Sequence, residues 1–314
     1  MDVIFSLLGV GAVAGLLVWA VVSRWPKFDP AAPRLRPRWR ARLDPEVVTG
    51  LALTLGVAAV VVLTSAAGLL LLMVRTKTGL AHYDLTLARW GAAHATSGST
   101  AVLRRLSDLG GTIGVVSLAT IVGVVEYRRF PDRGVFALLV LTIGGQFAIV
   151  NLIKVIVDRA RPALDQLTGF SSSSFPSGHA ASAAATFAVM ALLLGRRRSR
   201  RVRAALAGGA VAIAVIVAGT RVLLGVHWLT DVLAGLAIGW AWFALCSIAF
   251  GGRLLRFGAP AEPTEDPGPA VAAVPRGRAR AWPKTAARSA VERRIRRRLM
   301  PAAPRHVPPR SPRR

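Results

Sequence analysis

Long apolar runs, almost free of charge, alternate along this chain with short stretches dense in arginine. A helix crosses a bilayer when about 20 consecutive residues are predominantly apolar. The runs at 3–23, 47–74, 112–127, 134–157, 178–195, 204–224 and 229–250 predict seven such helices. Those at 112–127 and 178–195 are the shortest, while 47–74 is long enough to tilt or to extend past the membrane. Only Asp2 precedes the first run, with no basic flank, and no small-residue cleavage site follows Val22. It therefore reads as a retained anchor rather than a removed leader. The connection 75–111 is too long for a structureless link. Its Leu85, Leu87, Trp90 and Ala93 predict an amphipathic helix lying in the outer interface.

Charge gives these helices a direction, because loops rich in Lys and Arg stay in the cytoplasm. Seven cations lie between Arg24 and Arg42, three in 128–133, and six from Arg196 to Arg203. With helices that alternate across the membrane, these loops share one side with the basic tail from Arg253 onward. The less basic connections 75–111, 158–177 and 225–228 share the other. The N-terminus is expected outside and the C-terminus inside, in a bacterial plasma membrane. Composition agrees: of 314 residues, 53% are hydrophobic and 18% charged, against about 45–50% and about 25% in soluble globular proteins. A net charge of +26 suits nucleic acid or an anionic membrane surface, and its clustering between apolar runs favours the membrane. The tail 251–314, rich in Pro, Ala and Arg, is expected to be disordered. Its stretch 288–300 has the makings of a basic helix on anionic lipid. The tail carries only Phe257 and Trp282 as aromatics and does not interleave them with its cations, so no specific nucleic-acid partner is expected. The single cysteine, Cys246, excludes an internal disulfide and a multi-cysteine zinc site.

Three polar clusters fall at the outer ends of the predicted helices, where ionisable groups are costly and mark function. The first runs from Lys154 to Arg161 and Pro162; its cations are also what snorkelling anchors look like. Pro162 marks the helix stop and biases Arg161 towards extended backbone. The second is Phe175-Pro176-Ser177-Gly178-His179, opening the helix at 178–195. Free backbone N–H groups at a helix start bind anions, and Gly178 lets a ligand approach closely. A plain helix cap with an incidental histidine explains that cluster equally well on its own. The third is Thr220-Arg221, then His227 and Asp231. Four residues apart, a histidine and an aspartate share a face where the stretch is helical. The carboxylate then fixes the imidazole tautomer and frees the other nitrogen to react. Gly235 and Gly239 continue the spacing and predict a close helix contact beneath the pair. Together the clusters offer three cations, two histidines, a carboxylate and a backbone anion site at one depth.

Lys154-x6-Arg161-Pro162, Pro176-Ser177-Gly178-His179 and Arg221-x5-His227-x3-Asp231 resemble the three signature motifs of the type 2 phosphatidic acid phosphatase family. The third motif departs in one place, with Thr220 where serine is usual, and keeps the hydroxyl. The resemblance covers roughly 112–250 and implies an all-α, polytopic membrane helical bundle. Three divisions are expected: an N-terminal transmembrane helix and basic loop (1–46), a six-helix membrane phosphatase domain (47–250) and the basic tail (251–314). It further implies lipid phosphate hydrolysis through a phosphohistidine on His227, with Asp231 orienting the ring and His179 as proton donor. Lys154, Arg161, Ser177, Gly178 and Arg221 would hold the phosphate. Such a cation cage can stand in for magnesium, so no metal or other cofactor is expected. His227 neutral and His179 protonated predict a bell-shaped pH–rate curve. Undecaprenyl pyrophosphate is the first substrate expectation, with phosphatidic acid and phosphatidylglycerophosphate close behind. A lipid phosphotransferase and a non-enzymatic lipid-binding protein are the alternatives. His82 and His94 are expected to be interface residues.

Overall fold

The uncharged runs fold as helices because a backbone buried in lipid must satisfy its own hydrogen bonds. The computed structural model describes residues 2–24, 45–162 and 173–250, and the described residues form nine α-helices and no strand. They are α1 (Asp2–Arg24), α2 (Pro45–Thr76), α3 (His82–Ala93), α4 (Ser97–Asp108), α5 (Thr112–Arg129), α6 (Gly134–Val157), α7 (Gly178–Leu194), α8 (Arg200–Leu223) and α9 (Leu229–Phe250). The tail and its proposed basic helix lie outside the described residues. Five helices (α1, α2, α6, α8 and α9) are long and apolar enough to cross a membrane. The pair α4 and α5, bent by 47°, makes a sixth candidate, and α7 is a shorter apolar helix. At 17 residues, α7 spans about 26 Å, near the lower limit for a crossing.

α7 sits at the centre. Its small residues Ala180, Ala181, Ala183, Ala184 and Ala185 are all buried, which lets α8 and α9 close on it from either side. A Cβ on Gly235 of α9 would come within 2.5 Å of the Ser177 carbonyl oxygen, and one on Gly239 would overlap the Ala181 carbonyl. The expected close contact beneath His227 and Asp231 is therefore present, and it runs α9 parallel to α7. α1 packs antiparallel to α8. Leu7 meets Gly219, Gly15 meets Gly208, and Arg200 Nε donates to the Val22 carbonyl at 3.0 Å. Leu7 joins Leu103, Leu224 and Val226 in one apolar cluster, so the start of α1 lies at the bundle end where α8 finishes.

The structure corrects two local expectations. The stretch 75–111 holds two helices, α3 and α4, rather than one, because a capping box between Thr96 and Ser99 starts α4 afresh. The apolar residues Leu85 and Trp90 of α3 are exposed, while Asp84, Ala88 and Gly91 are buried. The helix thus turns an acid inward. The second correction concerns Pro162, which does not mark the helix stop: α6 ends at Val157, where the apolar run ends, with Asp158 left-handed at φ 42°, five residues before the proline. Aspartate tolerates that conformation. Arg75 Nη2 then donates to the Val157 carbonyl at 3.2 Å, tying the ends of α2 and α6 together.

Candidate active site

Five helix ends meet at one end of the bundle: the last turns of α4, α6 and α8 and the first turns of α7 and α9. Every residue singled out in the three clusters is placed there. Arg161, on the segment after α6, donates through Nη1 to the Val226 carbonyl at 2.7 Å and comes within 3.4 Å of His227 Nε2. Lys154 Nζ, one turn before the end of α6, donates to the Ser173 carbonyl at 2.6 Å. Arg221, in the last turn of α8 and buried, donates to Ser107 Oγ at 2.7 Å. His179 lies against the Gly111 backbone at the start of α5. It sits within electrostatic range of Lys154, Arg161, Arg221 and His227. Beside it, nothing crowds Gly178: a Cβ there would find its first neighbour at 3.9 Å. Ser177 is fully buried, and its hydroxyl has no hydrogen-bond partner among the described residues.

His227 and Asp231 are joined, but not along one helix face. His227 lies in the turn before α9, and its Nδ1 stands 3.5 Å from Asp231 Oδ2. The helix begins only at Leu229, because Asp231 reaches back to accept from the Trp228 N–H at 3.0 Å. This is the backward half of a capping box. The expectation that His227 shares a helical turn with Asp231 is corrected accordingly. The pairing is kept, and Nε2 faces Arg161. Burial pushes the His227 pKa down from its ordinary 6.5 to about 4, against the pull of the Asp231 carboxylate. The ring is neutral at physiological pH.

Sequence spacing missed five contributors, Arg159, Asp84, Ser174, Thr230 and Ser107. Arg159 donates to Asp231 Oδ1 at 2.5 Å and to Asp84 Oδ2 at 2.7 Å, so one guanidinium joins two buried carboxylates. Ser174 donates to Asp231 Oδ2. Thr230 donates to Asp84 through its backbone N–H at 2.9 Å and its hydroxyl at 2.7 Å. Ser107 holds Arg221. A signal for Asp84 existed: acids number only 15 in the chain, and Asp84 and Asp108 are the two within 75–111. His82 and His94 are exposed and bond to carbonyls of their own local segments, at 3.2 and 2.8 Å. Among the described residues, no group of three or more His, Cys, Asp or Glu is arranged to hold a metal ion.

The same stretch matches a known family. The PAP2 superfamily covers residues 135–254. Phosphatidylglycerophosphatase B of Bacillus subtilis (strain 168) is 34% identical over 164 residues, 50% of this chain and 77% of that protein. The chain belongs to the PAP2 superfamily. A transmembrane PAP2 type phosphatidylglycerolphosphate phosphatase from Bacillus subtilis, known from its crystal structure, shares the fold at a TM-score of 0.57 and 27% identity. That match covers 63% of this chain and 98% of the other. Lipid A 1-phosphatase of Rhizobium johnstonii is 37% identical over 119 residues, 35% of this chain. The chain spans 45% of that relative's length. As a PAP2 protein it is a phosphoric ester hydrolase, and its helices make it a multi-pass membrane protein. The helices α1 to α5 lie ahead of residues 135–254, the segment that the family itself covers.

Proposed function

We propose that this PAP2 protein hydrolyses the phosphate or diphosphate ester of a membrane lipid at the outer face, through a phosphohistidine on His227. The observation that carries this reading is the division of labour at one buried imidazole. Nδ1 faces the Asp231 carboxylate while Nε2 faces Arg161.

In the first step the Nε2 lone pair forms a bond to phosphorus as the bond to the lipid oxygen breaks. His179 gives its proton to that leaving oxygen. In the second step water attacks phosphorus and returns a proton to His179, the phosphorus–nitrogen bond breaks, and phosphate departs with His227 neutral again. Asp231 stabilises the imidazolium character that develops in between. Lys154, Arg161 and Arg221 take up charge on the nonbridging oxygens, and the unpartnered Ser177 hydroxyl and the open backbone at Gly178 complete the cradle. Phosphoryl transfer depends mainly on positioning and charge stabilisation, so three preplaced cations support a reaction that needs no metal.

The relatives named above act on phosphatidylglycerophosphate and lipid A, and undecaprenyl pyrophosphate remains the first candidate for an outward-facing site. The deciding experiment is phosphate release by detergent-purified protein, with chelator present, from a panel of these lipids and phosphatidic acid. His227→Ala runs alongside. Release that persists in chelator and falls at least 1,000-fold in the variant, on the order of a lost nucleophile, is the expected result. Activity that survives in His227→Ala overturns the mechanism. A phosphoryl group recovered on an acceptor other than water would make the protein a transferase.

A further inference from the structure

We infer that Asp84, on α3 and ahead of residues 135–254 that the family covers, is a positioning residue for the reaction, acting through Arg159 to hold Asp231 on the nucleophilic histidine. The inference rests on His227 being the nucleophile and extends that reading to a helix that sequence spacing had assigned to the membrane interface.

The geometry forms a closed loop. Asp84 Oδ2 accepts from Arg159 Nη2 at 2.7 Å, and Arg159 Nη1 donates to Asp231 Oδ1 at 2.5 Å. Thr230 closes the loop, accepting from Arg159 Nη1 at 2.8 Å and donating its hydroxyl to Asp84 at 2.7 Å. Asp84 Oδ1 also accepts the Thr230 N–H at 2.9 Å, so the acid caps the first turn of α9 from another helix. Asp84, Thr230 and Asp231 are all buried. Arg159 is stacked at 5.5 Å over the ring of Trp228, whose indole N–H holds the Ala160 carbonyl at 2.9 Å.

Stability alone is a poor reason for such an arrangement, since buried ions cost desolvation and apolar residues often serve as well. Direction is a better one. A guanidinium is planar, and holding one of its nitrogens fixes where the other points. With Asp84 in place, Arg159 meets Asp231 through Nη1, leaving Oδ2 for His227 Nδ1, Ser174 and the Trp228 N–H. Without Asp84, the whole fork of Arg159 is free to close on Asp231. That draws the carboxylate away from an imidazole already 3.5 Å distant, and the Thr230 N–H loses its acceptor. The nucleophile then loses its orienting partner although every group that touches phosphate is intact.

The test is steady-state kinetics on short-chain phosphatidic acid in detergent micelles, with melting temperatures, for Asp84→Asn, Asp84→Glu, Arg159→Gln, Arg159→Lys and the Asp84→Asn/Arg159→Gln double variant. His227→Ala sets the floor. We expect kcat to fall by about 10- to 100-fold in Asp84→Asn, on the order seen when a partner behind a site residue is removed. KM should stay within about threefold, Asp84→Glu should recover part of the loss, and the double variant should be no worse than the poorer single. The inference is overturned if kcat in Asp84→Asn stays within threefold of the parent. It is equally overturned if kcat and melting temperature fall while KM rises in both Asp84→Asn and Arg159→Lys, the pattern of a structural tie. Should Asp84→Asn not fold, Arg159→Lys decides by the same criteria. Activity retained in His227→Ala would instead remove the mechanism on which the inference stands, a different and separable result.

Discussion

His227 is nearly sealed from water, and its imidazole is held neutral by burial, with a pKa of about 4 in place of 6.5. The unfolded chain takes up a proton near 6.5 that the folded chain refuses until about 4. The stability tied to this residue is therefore complete above pH 6.5 and is lost as pH falls through 4. At about 1.4 kcal/mol per pH unit it amounts to no more than roughly 3–4 kcal/mol. Melting temperature followed against pH is expected to drop across that window, and the drop should be shallower in His227→Asn. The same residue shows what spacing reveals. His227, Asp231, His179 and the cations Lys154, Arg161 and Arg221 were legible because each sits at a fixed offset within a short segment. Arg159 lies within the first of those segments and Ser174 one residue ahead of the second. Their meaning depends on Asp84 and Asp231, which only the fold brings within reach, so no offset could flag them.

At the scale of helices, the contact of α7 with α9 sets the distance between the Ser177 end and the His227–Asp231 end of the site. Gly235 abuts the Ser177 carbonyl, so Gly235→Ala must push the two helices apart. We expect it to cost about 1–3 kcal/mol, the range for overpacking, and to lower kcat as well, because both ends of the site move. Gly209→Ala on α8, where nothing lies within 4 Å, is the control: its melting temperature and rate should stay close to the parent's. The lengths of α1, α2, α6, α8 and α9 were readable from hydropathy alone, since lipid demands uninterrupted apolar helix. The division of 75–111 was not. Periodicity in that stretch marks the exposed face of α3, and what faces the core is set by the partners it meets, Arg159 and Thr230.

For the molecule as a whole, the contacts order the helix ends into two groups. The start of α1 and the ends of α2, α4, α6 and α8 lie with the candidate active site, while Arg129, Arg196, Arg197 and Arg198 gather at the opposite end around Phe130 and Leu194. Arginine-rich ends stay cytoplasmic, which supports an outward-facing site. In a Cys246→Ser background, a membrane-impermeant thiol reagent added to intact cells is expected to label Lys77→Cys, beside the site, and to spare Arg198→Cys. The reverse pattern would invert the proposed topology. Five helix ends, far apart in sequence, supply one reaction centre, and no short segment holds it in shape. The catalytic rate is therefore expected to respond to how the surrounding bilayer or micelle holds the helices together. A change of lipid or detergent that lets the helices slip by a fraction of an ångström will register as lost turnover while the helical content, and every other bulk sign of folding, stays as it was.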